Sequence, residues 1–215
     1  ATDQTVTYTY DAFGRLAATY RHADGTAYNP ASPDTLHTYV FGDGSAGDTT
    51  MVATWGKHTS SATPWTTDGT WTRTYYDGFG RPLQTHAPSE TWTPTSGTES
   101  IQYQSYNELG QTTASSIVYE RGQLFSVDPN NLEALQGAYL SPDLTQPKTT
   151  STYDNVGRVT SVTGIDGNTS YKRYGMTTVN GEVLRYESTI DANFHRKDYR
   201  TNALGQLVEV VEFEG

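Results

Sequence analysis

Hydrophobic and polar residues alternate with period two over much of this chain, which predicts half-buried β-strands. Apolar residues stand at every second position on both sides of the first turn: Val6, Tyr8 and Tyr10 before it, and Leu16, Ala18 and Tyr20 after it. Short alternating segments separated by turn residues are typical of hairpins. The pattern therefore predicts a half-buried β-hairpin at the start of the chain.

A six-residue motif forms the turn of this hairpin and occurs five times. It consists of an aromatic residue, Asp or Asn, a free position, a bulky apolar residue, Gly, and Arg or Gln. The copies are Tyr10-Asp11-Ala12-Phe13-Gly14-Arg15, Tyr76-Asp77-Gly78-Phe79-Gly80-Arg81, Tyr106-Asn107-Glu108-Leu109-Gly110-Gln111, Tyr153-Asp154-Asn155-Val156-Gly157-Arg158 and, with Thr in place of the aromatic residue, Thr201-Asn202-Ala203-Leu204-Gly205-Gln206. Internal repetition of this kind indicates a repeat architecture.

Each part of the motif has a physical reason. Asp or Asn at the first turn position caps the backbone of its own turn, and a Gly three residues later is typical of a type I turn. That Gly can adopt a left-handed conformation, which gives a hairpin loop with a bulge. The apolar third turn position, such as Phe13, is expected to fold back onto a neighbouring hairpin and so to stack the hairpins.

Two regions interrupt the repeat, at about residues 29–69 and 120–148, and are interpreted as insertions. The second predicts one short helix over 128–139, because Asp128 can cap it and Pro129 suits its first position. Asn180-Gly181 lies between two strand-like runs and predicts a tight hairpin. Residues 1–215 are interpreted as a single sheet segment: an all-β fold, a curved antiparallel sheet of stacked hairpins.

Composition excludes several classes of function. The formal net charge of −10 argues against a nucleic-acid partner, because phosphate binding needs a basic surface. The chain has no cysteine, so disulfides and thiolate metal sites are absent. No run of 18 apolar residues suggests a membrane span, and any export signal is expected to lie outside this sequence.

At these residues the chain resembles the YD-repeat, or RHS, family, whose repeat reads Tyr-Asp-x-x-Gly-Arg. Residues 152–162, followed by Asp166-Gly167, match that repeat best, and the resemblance covers about two thirds of the chain. Gln111, Gln206 and Thr201 depart from the family pattern. The resemblance implies a strip of hairpins that spirals into a hollow shell in full-length members, where bacterial RHS proteins and Tc toxins enclose a toxic C-terminal segment and teneurins carry a related shell at cell contacts.

The resemblance further implies a function. It makes the chain a non-enzymatic wall segment of a shell that encloses or presents a C-terminal toxin or effector, in a secreted or surface-associated bacterial protein. Its partners would be other repeats of the same shell and the enclosed segment. The family's self-cleaving aspartate site has no counterpart here, and the strand-like residues 207–213 suggest a sheet that continues beyond this segment.

Candidate chemistry outside the motif is sparse. Asp11, Asp77 and Asp154 are interpreted as turn caps rather than catalytic carboxylates, because Asn107 and Asn202 occupy the same position without charge. The motif arginines are expected to pair with acids across strands rather than to bind an anionic ligand. The five histidines lack metal-ligand spacing, and the loop with Asp43 and Asp48 is a poor match to a calcium site, so no metal and no cofactor is expected.

The tryptophans carry the alternative function. Trp55, Trp65, Trp71 and Trp92 lie in or beside the divergent regions, outside the motif. Exposed on a flat sheet, they would stack on sugar rings and make the chain a carbohydrate- or cell-surface-binding module. The other interpretation, which we favour, is that they cover the sheet against the insertions.

Overall fold

The computed structural model describes residues 4–42, 49–57, 69–93, 97–122 and 139–213, and every regular element within these ranges is a β-strand. Fifteen strands form one open antiparallel sheet, so the all-β prediction is confirmed. The described ranges contain no helix. Residues 128–138 of the predicted helix lie outside the described residues, and Tyr139, its last residue, is not helical, so the helix finds no support.

Two compact units divide the chain, the first formed by Ala1–Tyr103 with Val118–Leu144 and the second by Gln104–Ile117 with Thr145–Gly215. The strands of the first unit are β1 (Gln4–Tyr10), β2 (Leu16–Ala23), β3 (Thr35–Val40), β4 (Thr50–Lys57), β5 (Gly69–Tyr76), β6 (Pro82–Pro88), most of β7 (Thr98–Tyr106) and β9 (Tyr119–Gly122). The second unit holds the end of β7 with β8 (Thr112–Ser116), β10 (Lys148–Tyr153), β11 (Val159–Thr163), β12 (Thr169–Val179), β13 (Glu182–Ile190), β14 (Arg196–Thr201) and β15 (Leu207–Phe213).

Strands pair almost entirely in the order in which they follow one another along the chain. From β1 to β8 and from β10 to β15 each strand pairs with the next, while β9 pairs with β7 and leaves β8 to pair with β10. Sequential pairing of this kind is what a chain of hairpins produces. Strands β3 and β4 lie within residues 29–69, so the region interpreted as an insertion contributes a hairpin to the sheet.

A β-bulge accompanies every copy of the turn motif, as the sequence predicts. In the first hairpin the register shifts between Thr9 and Tyr10, and equivalent shifts occur at the other four copies. Thr7 and Thr9 therefore oppose the buried Tyr20 and Ala18, respectively. The expectation that Val6, Tyr8 and Tyr10 are half-buried with them is wrong. These three are exposed, because residues opposite one another in a sheet share a face and neighbours in sequence do not.

Aromatic side chains fill the core of the first unit. One cluster comprises Met51, Ala53, Trp55, Trp71, Tyr75 and Trp92, with Leu36, Val40 and Tyr139 packed against it. A second comprises Ile101, Tyr103, Tyr119 and Leu140. Trp92 comes from the connection between β6 and β7, and Tyr139 and Leu140 come from the connection between β9 and β10. Segments outside the regular strands therefore cover one face of this unit's sheet.

The second unit buries much less. Among its described residues only Leu184 is a fully buried hydrophobic side chain, together with the polar Ser116, Ser188 and Asp198. Ser188 donates a hydrogen bond of 2.5 Å to Asp198, which also accepts two bonds from Arg196. Contacts between long polar side chains thus take the place of an apolar core on this part of the sheet.

Candidate functional site

The turn motif is closed by its own aspartate. In the first copy, the Asp11 amide donates a hydrogen bond of 2.9 Å to the Arg15 carbonyl, and the Gly14 amide donates to the Asp11 carbonyl at 3.0 Å. One carboxylate oxygen of Asp11 accepts from the amides of Phe13 and Arg15, and the other accepts from the Arg15 guanidinium at 2.6 Å. Both oxygens are therefore occupied within the turn.

The same geometry recurs at the other four copies. Asp77 with Arg81 and Asp154 with Arg158 repeat it, and their carboxylate–guanidinium distances are 2.6 and 2.7 Å. The arginines thus pair with the acid of their own turn, and the expected pairing with acids on neighbouring strands is wrong. The reason is distance: the turn brings residues i and i+4 face to face.

In the two amide copies a side-chain hydrogen bond replaces the ion pair. Asn107 donates to Gln111 and Asn202 donates to Gln206, each at 2.9 Å. The amide oxygen still accepts from the backbone at both caps. A charge is therefore dispensable for closing the turn.

Electrostatics follow the same contacts. The hydrogen bond from the Arg158 amide is the largest cause that lowers the pKa of Asp154, supported by the Arg158 side chain and the Val156 amide. At Asp11 and Asp77 desolvation raises the pKa, but the bonds from the turn outweigh it and the pKa is lowered overall. The turn carboxylates are thus held ionised, as hydrogen-bond acceptors.

Arginine and tyrosine connect each of two hairpins to the strand that follows. The guanidinium of Arg15 lies 4.3 Å from the ring centre of Tyr39 on β3, and the Tyr39 hydroxyl donates to the Leu16 carbonyl at 3.1 Å. Arg158 lies 4.3 Å from the Tyr174 ring on β12, and that hydroxyl donates to the Val159 carbonyl at 3.0 Å. We call this arrangement the Arg–Tyr lock. It fixes a turn to the next strand through a cation–π contact and a hydrogen bond.

The third turn of the motif, which has Gln in place of Arg, makes a variant of the lock. Tyr153 on β10 donates to the Thr112 carbonyl at 2.7 Å, while Gln111 donates to the carbonyl of Gly157 at 2.6 Å. Two neighbouring turns of the second unit are thereby joined directly. Gln111 lies so close to Gly157 that a Cβ there would be 2.9 Å from its amide nitrogen.

The apolar residue of each turn does not fold back onto a neighbour. Phe13, Phe79, Leu109, Val156 and Leu204 are between 71% and 87% exposed, so the expected stacking of hairpins through these side chains is wrong. The turn geometry explains this, because the amide of the third residue points inward to the cap and its side chain points away. Phe13 and Phe79 instead lie about 5.1 Å from the arginine of their own turn.

A sixth turn of the same geometry was not recognised in the sequence. Asp191 caps residues 191–195 with the same backbone and side-chain bonds, and His195 lies 3.1 Å from its carboxylate in place of Arg. Phe194 stands where the motif has Gly and adopts φ = 68°, a left-handed conformation that is costly for an aromatic residue. Only the Asp and its spacing to His195 signal this turn.

A buried polar chain crosses the first unit beside its aromatic core. Arg73 on β5 donates to Glu99 on β7 at 2.5 Å, and the same carboxylate oxygen lies 2.8 Å from Nδ1 of His86 on β6. Nε2 of His86 lies 2.8 Å from the side-chain oxygen of Gln84, which accepts a bond from the Leu140 amide. Burial lowers the pKa of His86. The sequence did not identify this cluster, and its only signal there is the period-two spacing of Gln84 and His86.

Comparison with known proteins identifies the architecture. No family model matches the sequence, and no curated protein matches it. The crystal structure of TcdB2-TccC3 superposes with a TM-score of 0.66 at 14% identity, covering 98% of this chain. The structure of TcdB2-TccC3-TEV does so with a TM-score of 0.64 at 12% identity and the same coverage. The chain therefore shares the fold of the matched stretch of these two chains.

This likeness confirms at the level of the fold the resemblance expected from the motif. The chain covers only 12% and 14% of those two much longer chains. The motif residues that were singled out lie at the turns between paired strands, and the first residue of each copy ends the strand before its turn. The turns gather Asp or Asn with Arg or Gln inside each copy, and the locks reach from one copy to the next strand.

The tryptophans within the described residues are buried rather than exposed on the sheet surface. Trp55, Trp71 and Trp92 are 0%, 1% and 8% exposed, and the ring centres of Trp71 and Trp92 are 5.4 Å apart. They have no free face for a sugar ring, so the exposure that surface stacking requires is missing at these three residues. The favoured interpretation, that they cover the sheet, agrees with their burial. Trp65 lies outside the described residues.

Other candidate sites find little support. Within the described ranges no group of three His, Asp or Glu side chains is placed to hold a metal ion, and Asp43 and Asp48 lie outside those ranges. No helix in the described part of the chain has the length and hydrophobicity for crossing a membrane.

Proposed function

We propose that this chain is a non-enzymatic segment of the wall of a larger YD-repeat shell, which encloses or presents a C-terminal toxin or effector. The observation that carries this proposal is where the polar side chains of the motif make their contacts. Each Asp or Asn closes its own turn, and Arg15 and Arg158 contact the tyrosine of the next strand. Both kinds of contact hold the sheet together, which supports a structural role for the motif.

The structural likeness supports the same proposal from another direction. Both TcdB2-TccC3 chains contain a stretch that matches nearly the whole of this chain, and that stretch is a small part of each. A fold that serves there as one part among many suits a repeated wall. The proposal places the complete protein outside a bacterial cell or on its surface, with other repeats and the enclosed segment as its partners.

Strand β15 is the surface on which the wall proposal is most directly testable. Among the described residues it pairs only with β14, and Leu207, Val208 and Val210 are exposed on it. Exposed apolar edge strands attract other strands, and natural domains usually cover them. In a wall, an adjoining hairpin supplies that cover.

The experiment is light scattering of the isolated chain over a range of concentrations. We expect association to rise with concentration, and Val208→Lys to suppress it, because a charged residue blunts an edge strand. Tyr171→Lys is the matched control, since Tyr171 is also exposed but lies on β12 at a position that pairs with both β11 and β13. Appending a further repeat after β15 is expected to suppress association as well.

Two results contradict the wall proposal. One is a strictly monomeric chain at high concentration that stays unchanged when a repeat is appended. The other is equal suppression by Val208→Lys and Tyr171→Lys, which would assign the association to the exposed sheet face and not to the strand edge.

The carbohydrate-binding alternative has lost most of its basis, because three of its four tryptophans are buried. Trp65 is the remaining candidate among them. A glycan array that shows binding abolished by Trp65→Ala would restore this alternative, whereas absence of binding to every glycan class would remove it.

A further inference from the structure

Residues 139–141, here called the strap, are held on the first unit by a side-chain amide. Gln84 Nε2 donates to the Leu140 carbonyl at 3.3 Å, and the Leu140 amide donates to Gln84 Oε1 at 3.1 Å. This double contact fixes the orientation of the Gln84 amide. If the amide were rotated by half a turn, Gln84 Oε1 would face the Leu140 carbonyl oxygen and Gln84 Nε2 would face the Leu140 N–H, and both hydrogen bonds would be lost.

The fixed Gln84 amide presents an acceptor to His86. Gln84 Oε1 lies 2.8 Å from Nε2 of His86, and Glu99 Oε2 lies 2.8 Å from Nδ1. Although burial raises the pKa of Glu99, the contacts from His86 and Arg73 lower it overall, so this carboxylate is ionised. His86 thus faces an acceptor at each ring nitrogen, and only the doubly protonated imidazolium satisfies both.

The surroundings of His86 oppose that charge. The ring is fully buried, and burial is the largest cause that lowers its pKa; Arg73 and Arg121 lower it further, and Glu99 acts against them. The titratable and charged groups that face it are Arg73 and Tyr75 from β5, Glu99 from β7 and Arg121 from β9. At neutral pH the ring therefore carries one proton, which stays on Nδ1 toward the charged Glu99.

We propose that the second proton of His86 is a latch that tightens the hold of Gln84 on the strap. With one proton on the ring, the lone pair of Nε2 opposes the lone pairs of Gln84 Oε1, and the Gln84–Leu140 contact is weakened. On acidification Nε2–H donates to Gln84 Oε1 and the chain from Glu99 to Leu140 is satisfied throughout. The strap carries Tyr139, whose ring packs at 5.8 Å on Tyr75, so the latch controls cover of the aromatic core.

This latch predicts two pH dependences of opposite sign. Because the pKa of His86 in the fold lies below its unfolded value, the unfolded chain binds more protons, and global stability falls as the pH drops below about 6.5. Opening of the strap alone follows the reverse order, because the closed strap favours the protonated ring. A purely structural histidine would give only the first dependence.

Hydrogen exchange at the Leu140 amide measures strap opening in the intact chain. After correction for the intrinsic exchange rate, we expect protection of this amide to rise roughly three- to tenfold as the pH is lowered from about 7.5 through the range in which His86 gains its second proton, the size of one net hydrogen bond. Over the same range the global stability from urea unfolding is expected to fall. Protection that is constant, or that falls in parallel with global stability, would overturn the latch.

Two variants localise the effect. Gln84→Met removes the acceptor and is expected to abolish the rise in Leu140 protection, whereas His37→Gln is expected to retain it. His37 is a suitable control because it contacts Thr54 on the opposite face of the same sheet. If Gln84→Met does not fold, the ¹⁵N shifts of the His86 ring in the unmodified chain give the test: Nε2 must gain its proton over the range in which Leu140 protection rises, and failure to do so overturns the proposal.

Discussion

The two units of this chain stabilise the same kind of hairpin in different ways. The first covers Trp55, Trp71, Tyr75 and Tyr103 with segments that lie over one face of its sheet, one of which carries Trp92. The second has only one fully buried hydrophobic side chain among its described residues and depends on locks, ion pairs and the Gln111–Gly157 link. The comparison teaches that the repeat supplies strand pairing, whereas an apolar core depends on segments outside the repeat.

The largest expected difference between the units concerns tryptophan. Trp71→Ala is expected to lower the free energy of unfolding of the first unit by about 3–5 kcal/mol, the cost of emptying a packed aromatic site. Met176→Ala in the second unit, where the side chain is exposed, is expected to stay within about 0.5 kcal/mol. Tryptophan fluorescence during urea unfolding measures the first unit alone, since all four tryptophans lie in its range. An unchanged midpoint for Trp71→Ala would refute the core.

Glycine substitutions test the second unit. Gly157→Val and Gly205→Val are each expected to cost about 1–3 kcal/mol, because both positions have left-handed backbones that a β-branched residue resists. Gly157→Val is expected to cost more, since its Cβ also meets Gln111. Far-UV circular dichroism follows the loss, and the fluorescence midpoint of the first unit should not move. Equal costs would show that the Gln111 link contributes nothing.

The Arg–Tyr lock predicts a smaller effect. Tyr174→Phe removes the hydrogen bond to the Val159 carbonyl and keeps the ring beneath Arg158, so a loss of about 0.5–1.5 kcal/mol is expected. Tyr8→Phe serves as control, because Tyr8 is an exposed tyrosine on a strand of the first unit. If denaturant unfolding gives both variants the same free energy of unfolding as the parent chain, the hydrogen bond of the lock does not contribute to stability.

One substitution is expected to stabilise the second unit. Phe194→Gly relieves the left-handed strain at the sixth turn, and after the extra chain entropy of Gly we expect a gain of about 0.5–1 kcal/mol. Phe79→Gly is the control, since Phe79 is equally exposed at a turn but has no left-handed backbone. A lower melting temperature for Phe194→Gly would contradict the strain.

The smallest effect is expected at the apolar turn position. Val156→Ser should change stability by less than about 0.5 kcal/mol, because this side chain is exposed. A larger loss in thermal unfolding would mean that Val156 is covered in solution and would restore the stacking that the sequence suggested.

The sequence predicted the turns well because their chemistry is local. Asp154 reaches its partners within four residues, so spacing alone reveals the cap, the left-handed Gly157 and the bulge. The same reasoning failed for Val156, since apolar character says nothing about which way a turn directs a side chain. It also assigned Arg158 to another strand, although the turn itself brings an acid within reach.

Contacts between distant residues were beyond the reach of pattern alone. The polar chain from Arg73 to Leu140 joins residues far apart in sequence, and period two says only that Gln84 and His86 share a face. Burial of Trp71 depends on the connection that carries Trp92. Strand β3 was missed because the residues around it are rich in Gly, Ser and Pro, which are typical of loops. This signal was stronger than the short alternation of apolar and polar residues within the strand.

A turn that satisfies its own backbone has an evolutionary consequence. Because the cap of Asp154 is contained in five residues, a gene segment that encodes such a hairpin carries every hydrogen bond of its turn cap with it when it is duplicated. An added hairpin needs only a tyrosine on its first strand to form a cation–π contact with the arginine of the preceding turn, as Tyr174 does with Arg158. The unequal spacing of the five motifs along this chain is the record that such a mode of growth would leave.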